Sequence, residues 1–378
     1  MIQQQSNSIT STVSVICSRP GPFLSVYIDV SRDVDEAEHR IGVRWRSARE
    51  ELHRAGAPAS LLDLVGERVL DPSGAGGRVA RMVVAADDEI LLDEVTLRPR
   101  AQEALTWGPL PDVTGWLSDR STTMPVLVVL ADREGADFEL YDAWPEPPVV
   151  TDSFHGDDLH VKKVAVGGWA HKQYQRRSEW TWRRNAEEVA AEIDRHVDDG
   201  VPLVVVAGDL RAQGEIRHAV SEKAREILVE LETGGRAAGS SRDALDQAID
   251  HAVGDVVVTD RLRTLNELEE QAGRGGAAAV GLREVLGKLT LGQVRTVLLS
   301  PDEASTQIVA TRDYPGLPLP TEAQNSDELR ADLAVVCAAA ATDAEVAIVP
   351  RAKSGDGVSA VLRWDDQRSG SAVTGELE

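Results

Sequence analysis

The sequence predicts an α/β (α+β) chain of three consecutive mixed α/β domains, and three observations carry that prediction. Continuous apolar runs, PVLVVLA at 125–131 and VPLVVVAG at 201–208, have the length and β-branched content of strands covered on both faces. Stripes at 3–4 spacing lie between such runs: Ile41, Trp45, Ala48 and Leu52, then Ala186, Val189, Ala190, Ile193 and Val197. The 378 residues are 42% hydrophobic and 27% charged, which excludes wholesale disorder and, at roughly 150 residues per domain, suits two or three domains.

The polar opening MIQQQSNSITST reads as a disordered tail over 1–15, with no basic start or apolar core of a signal peptide. An N-terminal α/β domain is expected over 16–120. It begins with a strand at Phe23–Val30 and helices at about 35–55 and 60–69, and continues with two strands joined at Asp87-Asp88. Prolines 99, 109 and 111 make the rest of this domain an irregular connector. A middle domain over 121–265 follows, with a hairpin turning at Glu134-Gly135 and a helix from Asn185. It continues with the strand in VPLVVVAGDL, a helix at about 211–232 and a strand at 254–259. A C-terminal α/β domain over 266–366 is expected to contain a helix at 278–289, a strand at 295–299 and a proline-rich loop at 301–320. A helix at 327–341 and the strands in VAIVP and VSAVLRW complete it, before a disordered tail at 367–378.

Composition also bounds function. With 40 Lys+Arg against 63 Asp+Glu the chain carries −23, so a basic coat for nucleic acid is excluded and any such contact must be local. The longest apolar run, Leu333–Ala341, is about half of what a membrane span needs, so no membrane partner is expected. Cys17 and Cys337 are far apart and no CxxC occurs, which predicts neither a disulfide framework nor a structural zinc, and suits a cytoplasmic protein.

One segment reverses the charge. Between Val161 and Asn185, Lys162, Lys163, Lys172, Arg176, Arg177, Arg183 and Arg184 face only Glu179, a local +6. Trp169, His171, Tyr174, Trp180 and Trp182 interleave with them. Cations neutralise phosphates, and flat rings with guanidinium planes stack on unpaired bases. The pair Gly167-Gly168 at its head gives a backbone that can approach a partner closely. The competing reading is a basic helix start paired with the protein's own carboxylates, with its tryptophans covering a core.

Other chemistry is weaker. His155 and His160 near Asp152, Asp157 and Asp158 match no ligand spacing, and a solvated loop explains them better. Asp132 and Asp209 each follow a buried strand, where a metal-dependent nuclease would hold its acids, yet turn formation accounts for them too. No metal and no cofactor is expected, since GxGxxG, GxxxxGK[ST] and GxSxG are all absent.

Three places resemble the bacterial branch of the archaeal and eukaryotic class-1 release factor and Pelota superfamily, and within it the actinobacterial Balon-like ribosome hibernation factors. They are GPFLSVYIDVS at 21–31, the central GG-x5-Y-x-R formed by Gly167, Gly168, Tyr174 and Arg176, and GLREVLGKLTLGQVRTVLL at 281–299 with GVSAVLRW at 357–364. The resemblance covers nearly the whole chain. It implies a ribonuclease-H-like middle domain and a compact C-terminal α/β sandwich of the release-factor/Pelota type. It implies a factor that occupies the ribosomal A site, meeting the rRNA of the decoding and peptidyl transferase centres, with elongation factor Tu as a further partner and no DNA.

The implied rRNA-binding residues are Gly167, Gly168, Trp169, His171, Lys172, Gln173, Tyr174, Arg176, Arg177, Arg183 and Arg184. Release factors carry a glutamine directly after the glycine pair, where this chain has Trp169. An indole offers one N–H donor and no acceptor, and its bulk excludes an attacking water. The resemblance therefore implies protection or inactivation of ribosomes under stress without peptide release. The alternative is a rescue enzyme that hydrolyses peptidyl-tRNA with Gln173.

Overall fold

In the computed structural model residues 2–33, 36–132, 135–155, 169–234 and 242–364 are described, with side chains left aside at 2–8, 155 and 169–182. They form two compact units, one of described residues within 122–258 together with Ile2, the other of described residues within 3–121 and 259–364.

The second unit opens with α1 (Ile2–Cys17), β1 (Phe23–Asp29), α2 (Ala37–Arg54), α3 (Ala59–Leu70), β2 (Val79–Ala86), β3 (Glu89–Leu97), β4 (Ala104–Gly108) and α4 (Thr114–Arg120). The strands make an antiparallel sheet in the order β3-β2-β1-β4. Every residue of β2 is buried, which is why its sequence does not alternate: both faces are covered. Ile41, Trp45, Leu52, Leu62 and Val65 from α2 and α3 cover Leu24, Val26 and Ile28 on one face. Two expectations fail here. The opening is a helix whose Val13, Ile16 and Cys17 are buried, because burial at its last turns outweighs its polar start. The proline-rich connector contains β4 and α4, since prolines 109 and 111 fall between those elements rather than within them.

The middle unit contains β5 (Val126–Ala131), β6 (Gly135–Tyr141), β7 (Val150–His155), α5 (Trp169–Asp199), β8 (Val204–Gly208), α6 (Leu210–Ala219), α7 (Glu222–Glu226), β9 (Leu228–Leu231) and the first turns of α8 (Arg242–Gly273). Its sheet runs β7-β6-β5-β8-β9, with β5, β8 and β9 parallel and the β5-β6-β7 meander antiparallel. Val189, Ile193 and Val197 of α5 and Ile216 of α6 pack on Leu127, Val129 and Val206. Leu245, Ile249 and Val253 of α8 cover Val126, Val128 and Val205 on the other face. This is a three-layer arrangement. The helix expected over 211–232 is α6, α7 and β9, broken where Val220 takes an extended conformation and Ser221 caps α7 through Ala224 N–H. The strand expected at 254–259 is part of α8. Its VVV run is β-branched, but the 3–4 stripe of Leu245, Ile249, Ala252 and Val253 decides for helix once it has a sheet to cover.

The second unit resumes with β10 (Ala278–Val280), α9 (Leu282–Thr290), β11 (Val294–Leu299), α10 (Pro301–Ala304), β12 (Ile308–Val309), β13 (Leu329–Arg330), α11 (Ala331–Ala341), β14 (Glu345–Ile348) and β15 (Val358–Leu362). The sheet order is β10-β15-β11-β14. The helix expected from 278 starts only at Leu282, because Gly281 at φ 102 turns the chain out of β10. The proline-rich loop holds α10 and β12, and the helix expected from 327 starts only at Ala331, after the strand Leu329–Arg330. Residues from 365 on, with the expected tail, lie outside the described residues.

Within this unit the early and late segments share one core: Phe23, Tyr27, Met82 and Trp116 with Leu286, Val297, Val335 and Ala338. Polar clips add to it. Arg330 donates to Asp112 at 2.7 Å and to Asp332 at 2.5 Å, and burial pushes the Asp332 carboxyl above the usual carboxylate range. Cys17 and Cys337 form a disulfide with Cα atoms 5.6 Å apart. The expectation of no disulfide is thus corrected, and it loses its force as an argument for a reducing compartment. Separation in sequence says nothing about separation in space when both ends of the chain enter one core. Reducing the bond, or Cys17→Ala, is expected to cost about 2–4 kcal/mol, because the unfolded chain regains its freedom. Urea unfolding with and without reductant measures it, and coincident curves would refute it.

Candidate functional site

The middle unit places its chemistry at the carboxyl ends of two neighbouring parallel strands. Chain leaving β5 turns back into β6, and chain leaving β8 enters α6 toward β9, so the backbone diverges there and leaves a crevice. Gly208 ends β8 at φ 115, and a Cβ on it would stand 2.1 Å from the Ala131 carbonyl oxygen. Only glycine allows β8 this close to β5 while Asp209 N–H donates to that same oxygen at 2.9 Å.

The two strand-end acids serve the backbone. Asp132 Oδ1 accepts from Gly135 N–H at 2.9 Å, closing the hairpin turn. Asp209 Oδ1 accepts from Arg211 N–H at 2.9 Å and Ala212 N–H at 3.1 Å, capping α6. These roles are those of turn and cap, and no group of three metal-ligating side chains occurs among the described residues. His155 ends β7, and the remainder of the His160, Asp157 and Asp158 cluster lies outside the described residues.

Between α5 and α6 the crevice is a cleft of about 250 Å³. Ala186, Val189, Ala212 and Ile216 form its apolar lining, with Asp132, Asn185, Arg183, Arg211 and Glu215 supplying polar groups. Sequence reasoning reached Asp132 and Arg183 but missed Asn185, Arg211 and Glu215. The only sequence signal for them was the Gly208-Asp209 pair that ends a buried strand and opens a helix.

Helix α5 positions the basic segment. It spans 31 residues from Trp169, and its buried positions among the described residues begin at Asn185 and continue through Ala186, Val189, Ala190, Ile193 and Val197. Trp169, His171, Lys172, Gln173, Tyr174, Arg176 and Arg177 occupy successive turns of its first half. Gly167 and Gly168 lie outside the described residues. Arg183 and Arg184 reach Glu215 at 3.9 Å and Glu188 at 3.3 Å, with their side chains 71% and 54% exposed. The reading in which this segment pairs with the protein's own carboxylates therefore holds for these two, but exposed pairs of this kind contribute only about 0–1 kcal/mol and exchange readily.

The titratable groups with shifted equilibria lie elsewhere in the unit. Burial pushes the His196 imidazole below its ordinary value, aided by the neighbouring Arg195 charge, so it is neutral at pH 7. The Arg195 hydrogen bond holds Glu192 below the usual carboxylate range. Burial and a hydrogen bond to Glu139 raise the Tyr141 phenol, whose oxygen also accepts from Arg242 at 2.5 Å. None of these groups lines the cleft.

The family model of bacterial archaeo-eukaryotic release factor family 2 matches residues 125–274. Two uncharacterized proteins of Mycobacterium tuberculosis, from strains CDC 1551 and H37Rv, are each 30% identical over 372 residues, 91% of this chain and 94% of theirs. Among solved structures, Archaeoglobus fulgidus Pelota is similar at 13% identity and TM-score 0.36, over 76% of this chain and 84% of that one. S. cerevisiae Dom34 is similar at 9% identity and TM-score 0.38, over 76% and 80%. An archaeal Pelota, in a model of the ribosome-bound protein with ABCE1, is similar at 17% identity and TM-score 0.38, over 76% and 78%. No helix among the described residues is long and apolar enough to cross a membrane.

Proposed function

Because this chain belongs to the bacterial branch of the archaeo-eukaryotic release factor superfamily, we propose that it is a ribosome-binding translation factor that occupies the A site and holds ribosomes inactive under stress. The observation that carries this reading is the position of the charge reversal. Gly167-Gly168 and seven cations fall inside the stretch the family model matches, and five of the seven, Lys172, Arg176, Arg177, Arg183 and Arg184, lie along the first half of α5. A basic helix led by a glycine pair suits a narrow, phosphate-lined site, and the acidic remainder of a −23 chain limits contact elsewhere on RNA.

In this reading residues 16–120 face the decoding centre, the Gly167-Gly168-Trp169 segment of the domain at 121–265 points toward the peptidyl transferase centre, and residues 266–366 meet elongation factor Tu, all in the cytoplasm. The action is occlusion. Trp169 stands where release factors carry glutamine, and its side chain supplies no acceptor to order a water. Gln173 stands one helical turn further on, within α5, which supports occlusion over hydrolysis.

Purified protein added to ribosomes loaded with peptidyl-tRNA is expected to bind and release no peptide, and Gln173→Ala is expected to change nothing. Trp169→Gln is expected to restore a trace of release. Multiple turnovers by the wild type, lost in Gln173→Ala, would make the chain a hydrolase instead.

A further inference from the structure

The cleft beside the basic helix has a composition of its own. Arg183 and Arg211 are balanced by Asp132 and Glu215, so its lining is close to neutral, although it takes Arg183 and Asn185 from the end of the +6 segment. A phosphate gains little in such a place. Its apolar lining includes Val189 and Ile216, each 2% exposed, and polar groups line the same cleft. At about 250 Å³ it falls just below the roughly 300–1,000 Å³ of sites for drug-sized ligands, so it suits one flat ring. A nucleobase has that shape, with an uncharged face for the apolar lining and edges that carboxylates and an amide such as Asn185 read by hydrogen bonds. The Arg183 guanidinium, 71% exposed and held to Glu215 only at 3.9 Å, can lie over such a ring.

Continuity favours RNA over a free nucleoside. Arg183, Asn185, Ala186 and Val189 belong to the same helix as Arg176 and Arg177, about 10 Å along its axis at 1.5 Å per residue. A single strand whose phosphates follow the first half of α5 therefore passes the mouth of the cleft. We propose that the cleft between α5 and α6 is a nucleobase pocket that captures one unstacked RNA base while the basic turns of α5 hold the flanking phosphates. This rests on the ribosome-binding reading and adds to it a place where a base, rather than backbone, is recognised.

The test uses the full chain and fluorescently labelled decamers: oligoadenylate, oligouridylate, and a ribose-phosphate decamer of equal charge without bases. At least one base-bearing decamer is expected to bind roughly tenfold more tightly than the abasic one. Ala212→Trp, which fills the cleft, is expected to bring that ratio to within twofold while leaving the salt dependence intact. Should this variant misfold, irradiation of wild type with a 4-thiouridine decamer reports independently, with attachment expected within 183–189 or 211–216. Equal affinity for base-bearing and abasic decamers, or attachment confined to other segments, overturns the pocket and leaves the ribosome reading standing. Failure of all three decamers to bind, together with absence of the protein from sedimented ribosomes, overturns both.

Discussion

Replacing Gly208 with alanine is expected to destabilise the middle unit by roughly 3–5 kcal/mol, the largest stability effect predicted here for a single methyl group. Two causes combine. The residue sits at φ 115, where side chains are disfavoured, and the added carbon would lie 2.1 Å from the Ala131 carbonyl oxygen, 3.1 Å from its carbon and 3.2 Å from its nitrogen. These are backbone atoms of the adjacent central strand, with no flexible side chain to swing aside. Relief requires β5 and β8 to part at the Ala131–Gly208 pair, which also breaks the Asp209 N–H bond to Ala131. Urea unfolding should reveal the loss, and Trp144, buried at 3% against α8, is a suitable fluorescence reporter. A change below about 1 kcal/mol would mean that the strand pair is not held as described. The same variant tests the cleft indirectly, since Gly208 ends the strand on which α6 is mounted.

Reversing charge at Arg176 and Arg177 together is expected to weaken ribosome binding by on the order of tenfold to a hundredfold at moderate salt. Each arginine that meets a phosphate releases counterions, so losing two should also flatten the plot of log affinity against log salt by about two contacts. Folding should be little affected, because among the described residues α5 packs through Ala186, Val189, Ala190, Ile193 and Val197 further along the helix. Arg195→Glu on the same helix is the control. It breaks surface pairs with Glu192 and Asp199 and changes net charge equally per residue, yet lies in the core-packed half, so binding should hardly move. Equal weakening per reversed residue in both variants would make attraction to ribosomes a matter of overall charge, and the binding role of the first half of α5 would fall.

Local pattern and tertiary context divided the work unevenly along the chain. The strands at β1, β2, β5, β8 and β11 were readable because their apolar runs are short and bounded, and the packed face of α5 because five residues recur at helical spacing. The basic, glycine-led segment was readable as well, since a charge reversal in an acidic chain is a property of composition alone. Where several conformations had similar local preference, the neighbours decided. Val256, Val257 and Val258 favour a strand by type, but the stripe beginning at Leu245 found a sheet face to bury and carried them into α8. The same holds for the polar opening, where Val13 and Ile16 met the core of the second unit.

What the amino-acid order determined by itself is the mixed α/β class, the main strands, and the existence of one basic, aromatic-rich segment in an acidic chain. What only the folded chain decided is which distant residues meet. Cys17 finds Cys337, Arg330 finds Asp112, and Asp132, Arg183 and Arg211 gather around one cleft. Periodicity is a local quantity, set by backbone geometry over a few residues. Proximity across tens or hundreds of residues is set by which apolar faces bury together, and no short window of sequence contains that information.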